Sequence, residues 1–287
     1  MTLFKLILKN LGVIVLSIIV FVPGSLVQNT ILTIFNYQNI ACIISCILRI
    51  TITVLLAWLV SAKILKIDAE NLGIKLKTIN LPLIILAILL PLLILAFYAY
   101  LIPGKPYIAK EGKLLDSLIY GLFSIGLPAG ICEELIFRGM IFRYMKKTLG
   151  QKAAIIIPAV LFACLHILNM QTFNLLDLLL LILAGSSVAV MFTFFALKSA
   201  SIWPGALAHT LWNFLIIGNV FGIGEIVNGM PNNSYIIIPV KSASKFLTGG
   251  NFGVEAALPA ILGYILVSIC IYLTGIDFSS KNKNSHL

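Results

Sequence analysis

Long apolar runs, each closed by a short polar or basic stretch, repeat from one end of the chain to the other. Crossing a hydrocarbon core as a helix takes about 20 mostly apolar residues. By that criterion the pattern predicts eight spans, over residues 4–26, 40–62, 81–102, 114–144, 152–168, 175–197, 204–221 and 254–274. A backbone in lipid must satisfy its own polar groups, and runs of this length do so as helices, so the expected fold class is all-α and polytopic. The first run follows Lys5 and Lys9 in the manner of a signal peptide. No small-x-small cleavage pattern comes before Pro23, so it counts as the first membrane helix.

The connections set the orientation. With the N-terminus in the cytoplasm, Lys5, Lys9, Lys63, Lys66, Lys75, Lys77, Arg143, Lys146, Lys147, Lys152, Lys198, Lys281 and Lys283 fall on that side, and Lys105, Lys110, Lys113, Lys241 and Lys245 outside. That bias favours eight transmembrane helices with both termini cytoplasmic. Residues 1–287 read as a single transmembrane domain without internal repeats. The long loop 222–253 carries Asn-Gly, Pro-Asn and Gly-Gly turn signals around the β-prone stretch Tyr235 to Ile238. It is predicted to be an external hairpin or a membrane-surface segment. The polar tail 279–287 is predicted to be disordered.

Composition agrees with the pattern: 60% of residues are hydrophobic, 10% are charged, and the mean hydropathy is +1.09. A soluble domain would carry roughly 25% charged residues. The net charge of +10 does not indicate nucleic acid, because the cations sit singly or in small groups at the ends of apolar runs, where they orient helices. All five cysteines lie within apolar segments and form no C-x-x-C pair, so they read as reduced packing residues.

Charges inside the spans are expensive and need partners or a job. Glu133, Glu134 and Arg138 share the fourth span. Glu134 and Arg138 are four apart and lie on one helix face at ion-pair distance. Glu133 is rotated about 100° from its neighbour and lacks that partner. Two of the three histidines, His166 and His209, also fall in spans, and His209 shares a face with Asn213 four residues on. Counted from the cytoplasmic ends at about 1.5 Å per residue, Glu133, His166, His209 and Asn213 can share one layer, roughly 8 to 21 Å deep. Arg49, alone in the second span, is expected to meet a lipid headgroup, a backbone carbonyl or an acid from another helix, and Asp177 to lie near the external end of the sixth span.

In order, Glu-Glu-x-x-x-Arg at Glu133, Glu134 and Arg138, Phe-x-x-x-His at Phe162 and His166, and His-x-x-x-Asn at His209 and Asn213 resemble the CAAX-protease and bacteriocin-processing family of intramembrane proteases, which contains the type II CAAX prenyl endopeptidases. The words Leu161 to His166 and Ser201 to His209 add to the likeness, which covers the core 114–214. Each motif alone is weak, and the ordered set on successive helices is specific. The resemblance implies an intramembrane endopeptidase in which Glu133 and His166 activate water while His209 and Asn213 donate hydrogen bonds to the oxyanion. Glu134 and Arg138 would give support.

Members of this family are often grouped with metalloproteases, and a metal-free mechanism based on glutamate is also credited to them. Glu133, His166 and His209 could supply the three protein ligands of a catalytic Zn²⁺. The chain has no His-Glu-x-x-His, and asparagine is a poor zinc ligand. No metal ligand is therefore assigned, and zinc stays the alternative to a metal-free site. The expected partners are membrane lipid and a membrane-associated peptide or lipidated protein as substrate, with no nucleic acid. The short chain, rich in Ile, Lys and Asn, suggests a multi-pass protein of a bacterial cell membrane, where leader-bearing peptides join prenylated ones as substrate classes. Two other readings remain: a non-catalytic immunity or peptide-binding protein of the same fold, and a transporter, which the lack of paired halves disfavours.

Overall fold

The computed structural model describes residues 3–68, 70–74, 80–109, 113–170, 173–224 and 234–275. Six helices are long and apolar enough to cross a membrane: α1 (Leu3–Ile34), α2 (Asn39–Leu65), α3 (Leu81–Leu101), α4 (Leu114–Leu149), α5 (Gln151–Asn169) and α6 (Leu175–Ser199). Two shorter ones follow. α7 runs over Trp203–Trp212 and continues in a π-helical turn over Asn213–Ile217, and α8 spans Leu258–Leu273. The helical, polytopic class expected from the pattern is thus observed. The last apolar segment starts four residues later than predicted, because residues 254–257 form a 3₁₀ turn and an extended residue ahead of the helix.

Local chemistry explains several starts. Pro82, Pro204 and Pro259 occupy the first turns of α3, α7 and α8, where a missing N–H costs nothing. The side chains of Asn80 and Asn174 accept hydrogen bonds from the N–H groups of Leu83 and Leu176, capping α3 and α6. Sidedness is inverted relative to a soluble protein. α1 buries Asn10, Ser17, Gly24 and Gln28 while Leu8, Leu11, Val15 and Ile19 are exposed. Small and polar groups facing inward, with branched aliphatics outward, are what a helix bundle in lipid requires. Arg49 donates to Gln28 Oε1 of α1 at 2.6 Å and lies over the Phe21 ring, in place of an acid or backbone carbonyl among the described residues.

Two buried clusters make the core. One joins α1, α2, α4 and α5, and the other joins α3, α6, α7 and α8. Their junction is where α4, α5, α6 and α7 meet. The β-prone stretch of the long loop enters a small three-stranded sheet of β1 (Tyr107–Ile108), β2 (Phe221–Ile223) and β3 (Ile236–Ile238). β3 lies centrally, antiparallel to β1 and parallel to β2. Residues 225–233 of the long loop and the tail 279–287 lie outside the described residues. From Lys245 the chain forms a strap of three short turns, Lys245–Thr248, Gly250–Phe252 and Val254–Ala256, that leads into α8. Asp177, at the start of α6 and fully buried, fixes the strap through Lys245 Nζ at 2.8 Å and the Asn251 N–H at 3.4 Å.

Candidate active site

Through its middle α4 is bonded in wide π-helical turns, over Tyr120–Gly126, Ala129–Glu133 and Leu135–Ile141. Such turns are rare and concentrate at functional sites. They bracket the two adjacent glutamates, which part ways. Glu134 is fully buried and its Oε1 accepts from Arg138 Nη1 at 2.8 Å. The Arg138 guanidinium, also buried, gives Nη2 to the Ala189 carbonyl at 2.8 Å and lies against the rings of Phe137, Phe162 and Phe192 at 5.7, 5.3 and 5.2 Å. This cage satisfies a cation that lipid or an apolar core would otherwise reject.

Glu133 faces the other way, into a cavity of about 400 Å³ whose walls also include His166, His209 and Asn213. Its side chain is 19% exposed. The four site residues singled out in the sequence therefore meet, from α4, α5 and α7. Both histidines are oriented by their Nδ1 atoms. His166 Nδ1 lies 2.8 Å from the Phe162 carbonyl. A carbonyl only accepts, so Nδ1 carries the proton and Nε2 can be left with a free lone pair. His209 Nδ1 lies 3.1 Å from Glu134 Oε1, and its Nε2 is 3.8 Å from Glu133 Oε2. Its ring stacks on Phe192, with centroids 4.7 Å apart. Glu134 thus serves both Arg138 and His209, a link that spacing along one helix does not reveal.

A glycine makes this link possible. A Cβ on Gly130 would stand 2.1 Å from Thr210 Oγ1 and 2.7 Å from the Ala206 carbonyl. α4 and α7 touch backbone to backbone there, one turn from both Glu133 and His209.

Beside Glu133, a second acid in the cavity belongs to no motif. Glu255, in the last turn of the strap, lines the same space, as do its neighbours Asn251 and Phe252. The Phe252 ring centroid is 6.3 Å from that of His166. Burial, and secondarily the charge of Glu133, push the Glu255 carboxyl up to about 8. The signal available in the sequence was an acid in an apolar run with no cation nearby, at a position taken as the edge of a span.

Among the described residues, no group of three His, Cys, Asp or Glu side chains is arranged to hold a metal ion. Both histidines have Nδ1 engaged by an oxygen acceptor, which leaves Nε2 as the nitrogen available to a water or a metal ion, and His209 Nε2 lies 3.8 Å from Glu133 Oε2.

Residues 115–215 match the family model described as type II CAAX prenyl endopeptidase Rce1-like. The segment carries Glu133, His166, His209 and Asn213, and ends before the strap. No curated protein and no solved structure matches the chain.

Proposed function

We propose, with residues 115–215 as an Rce1-like domain in a multi-pass membrane protein as the premise, that the chain is an intramembrane endopeptidase. It hydrolyses a peptide bond of a membrane-associated substrate, prenylated or leader-bearing, by water activated between Glu133 and His166. One observation carries this reading: an unpaired carboxylate, two oriented histidines and an asparagine from three helices line a single cavity between apolar helices. All eight helices cross the membrane in this reading, and both termini are cytoplasmic.

The chemistry follows from the hydrogen bonds. A water held by Glu133 and by His166 Nε2 loses its proton to the carboxylate as its oxygen attacks the scissile carbonyl. The resulting oxyanion needs donors that are already aimed at it. Asn213 offers an amide NH₂ that requires no ionisation. His209 has its Nδ1–H committed to Glu134, so it donates to substrate from a protonated Nε2.

The test compares wild type with Glu133→Ala, His166→Ala and His209→Ala in liposomes, against farnesylated peptides with three residues after the cysteine and against hydrophobic leader peptides. Each variant should lose at least about 10²-fold in turnover while retaining its far-ultraviolet dichroism. Undiminished cleavage by Glu133→Ala would sink the mechanism. Peptide binding without cleavage by wild type across the panel would favour a non-catalytic role.

A further inference from the structure

Glu255 is an acid without an obvious purpose. Acids near a helix N-terminus commonly cap it, but α8 begins at Leu258, and its first N–H groups receive no side-chain cap. Salt bridging is equally absent: the one cation of the strap with a close acidic partner, Lys245, is committed to Asp177. Among the described residues the Glu255 carboxyl has neither a hydrogen bond nor an ion pair, and its accessible part opens into the cavity shared with Glu133, His166 and His209.

Its backbone, by contrast, is held from several sides. The Tyr264 hydroxyl of α8 donates to the Glu255 carbonyl at 3.3 Å, and Ala256 and Ala257 beside it are fully buried. Farther along the strap, Tyr98 of α3 donates to the Leu247 carbonyl at 2.7 Å. Gly250, at a φ of +61°, fits against the Asp177 carboxylate so closely that a Cβ would stand 2.3 Å from it. A fixed backbone presenting an unbonded carboxyl to a polar cavity is how a reacting group is pre-organised.

We propose that Glu255 is the general acid of the site, giving its proton to the amide nitrogen that leaves when the peptide bond breaks. The proposal rests on the endopeptidase reading and extends it. Glu133 takes one proton from water, and the remaining hydroxide adds to the carbonyl carbon. As the C–N bond breaks, its electron pair stays on nitrogen, which takes the proton of Glu255 and leaves as a neutral amine. The other product is a carboxylic acid. Glu133 then passes its proton to the Glu255 carboxylate through water, and both groups return to their starting states. Two carboxyl groups facing one cavity suit this division, because the charge of Glu133 adds to burial in disfavouring ionisation of Glu255. The titratable and charged groups around Glu255 are Glu133 on α4, His166 on α5, Asp177 on α6 with its Lys245 partner, His209 on α7, Tyr264 on α8 and Tyr98 on α3. Burial pushes Glu255 up to about 8, so its carboxyl keeps its proton near neutral pH.

The experiment uses full-length protein in liposomes, with Glu255→Gln, Glu255→Asp and Glu133→Gln beside wild type. The probes are a farnesylated peptide with three residues after the cysteine and the same peptide with its scissile amide replaced by a thioester, whose thiolate leaves without a proton. Glu255→Gln should lose about 10²-fold in kcat on the amide, change little on the thioester and lack the fall in activity as pH rises through about 8. Glu255→Asp should recover part of the amide rate. Equal loss on both probes, or no loss on either, overturns the assignment. Glu133→Gln separates the two claims, because full amide cleavage by that variant overturns the endopeptidase reading itself. Infrared spectra give a readout independent of turnover. Wild type should show a protonated-carboxyl band at pH 7 that bleaches as pH passes about 8 and is missing in Glu255→Gln, and a wild-type spectrum without it rejects the proposal.

Discussion

Adjacent residues with the same side chain have opposite duties here. Glu134 accepts from both Arg138 and His209 inside the protein, whereas Glu133 faces the cavity with no partner closer than 3.8 Å. Stability and activity should therefore separate between them. Glu134→Gln leaves the Arg138 guanidinium buried without its counter-charge, a loss of about 3–5 kcal/mol for a broken buried pair. The thermal midpoint in detergent should fall sharply and cleavage with it. Glu133→Gln should leave the midpoint unchanged or raised, because it removes a carboxylate that nothing neutralises in close contact, and should abolish cleavage. Equal midpoints for the two variants would contradict this division of labour. The pairing of Glu134 with Arg138 was legible from a spacing of four on one helix. Its second bond, to a histidine 75 positions away, was not, since no pattern within either helix encodes it.

That second bond depends on how closely two elements approach, and the approach was hidden from the sequence for a physical reason. Helical periodicity tells which residues share a face, but which faces touch is decided by small residues at the crossing. Gly130 is such a residue, packed against the backbone of α7. Gly130→Ala should force α4 and α7 apart, lowering cleavage at least about tenfold through misplacement of His209 relative to Glu133 and reducing thermal stability. Wild-type activity in Gly130→Ala would show that the crossing tolerates a methyl group and that the distance matters little. The same limit explains the sheet. β1 is two residues long, too short for any alternation to register, so the partner of Tyr235 to Ile238 could not be read. By comparison the apolar runs were long enough to give every major helix, with errors only at their ends.

Across the whole molecule, the motif-bearing helices α4, α5 and α7 form one side of the cavity, and the strap with α8 completes it from beyond the segment that the family model covers. Glu255 was invisible to motif reading for that reason, since its relation to Glu133 exists only once α8 and α6 have packed. The helices around the cavity also differ in length. α7 over Trp203–Ile217 and α8 over Leu258–Leu273 measure about 22 and 24 Å at the helical rise, against a hydrocarbon core of about 30 Å. With α7 and α8 taken as membrane spans, as in the proposed function, local thinning of the bilayer would relieve such a mismatch and the lipid against them would form a dimple. Cleavage should accordingly be faster in liposomes of short-chain lipids than of long-chain ones, measured at matched fluidity, and a rate indifferent to chain length would argue against the dimple. In the endopeptidase reading the two short helices would thereby settle a supply problem that a hydrolase in oil must face: they would bring the hydrated interface closer to the carboxylates, so that the second reactant, water, has a thinner apolar barrier to cross.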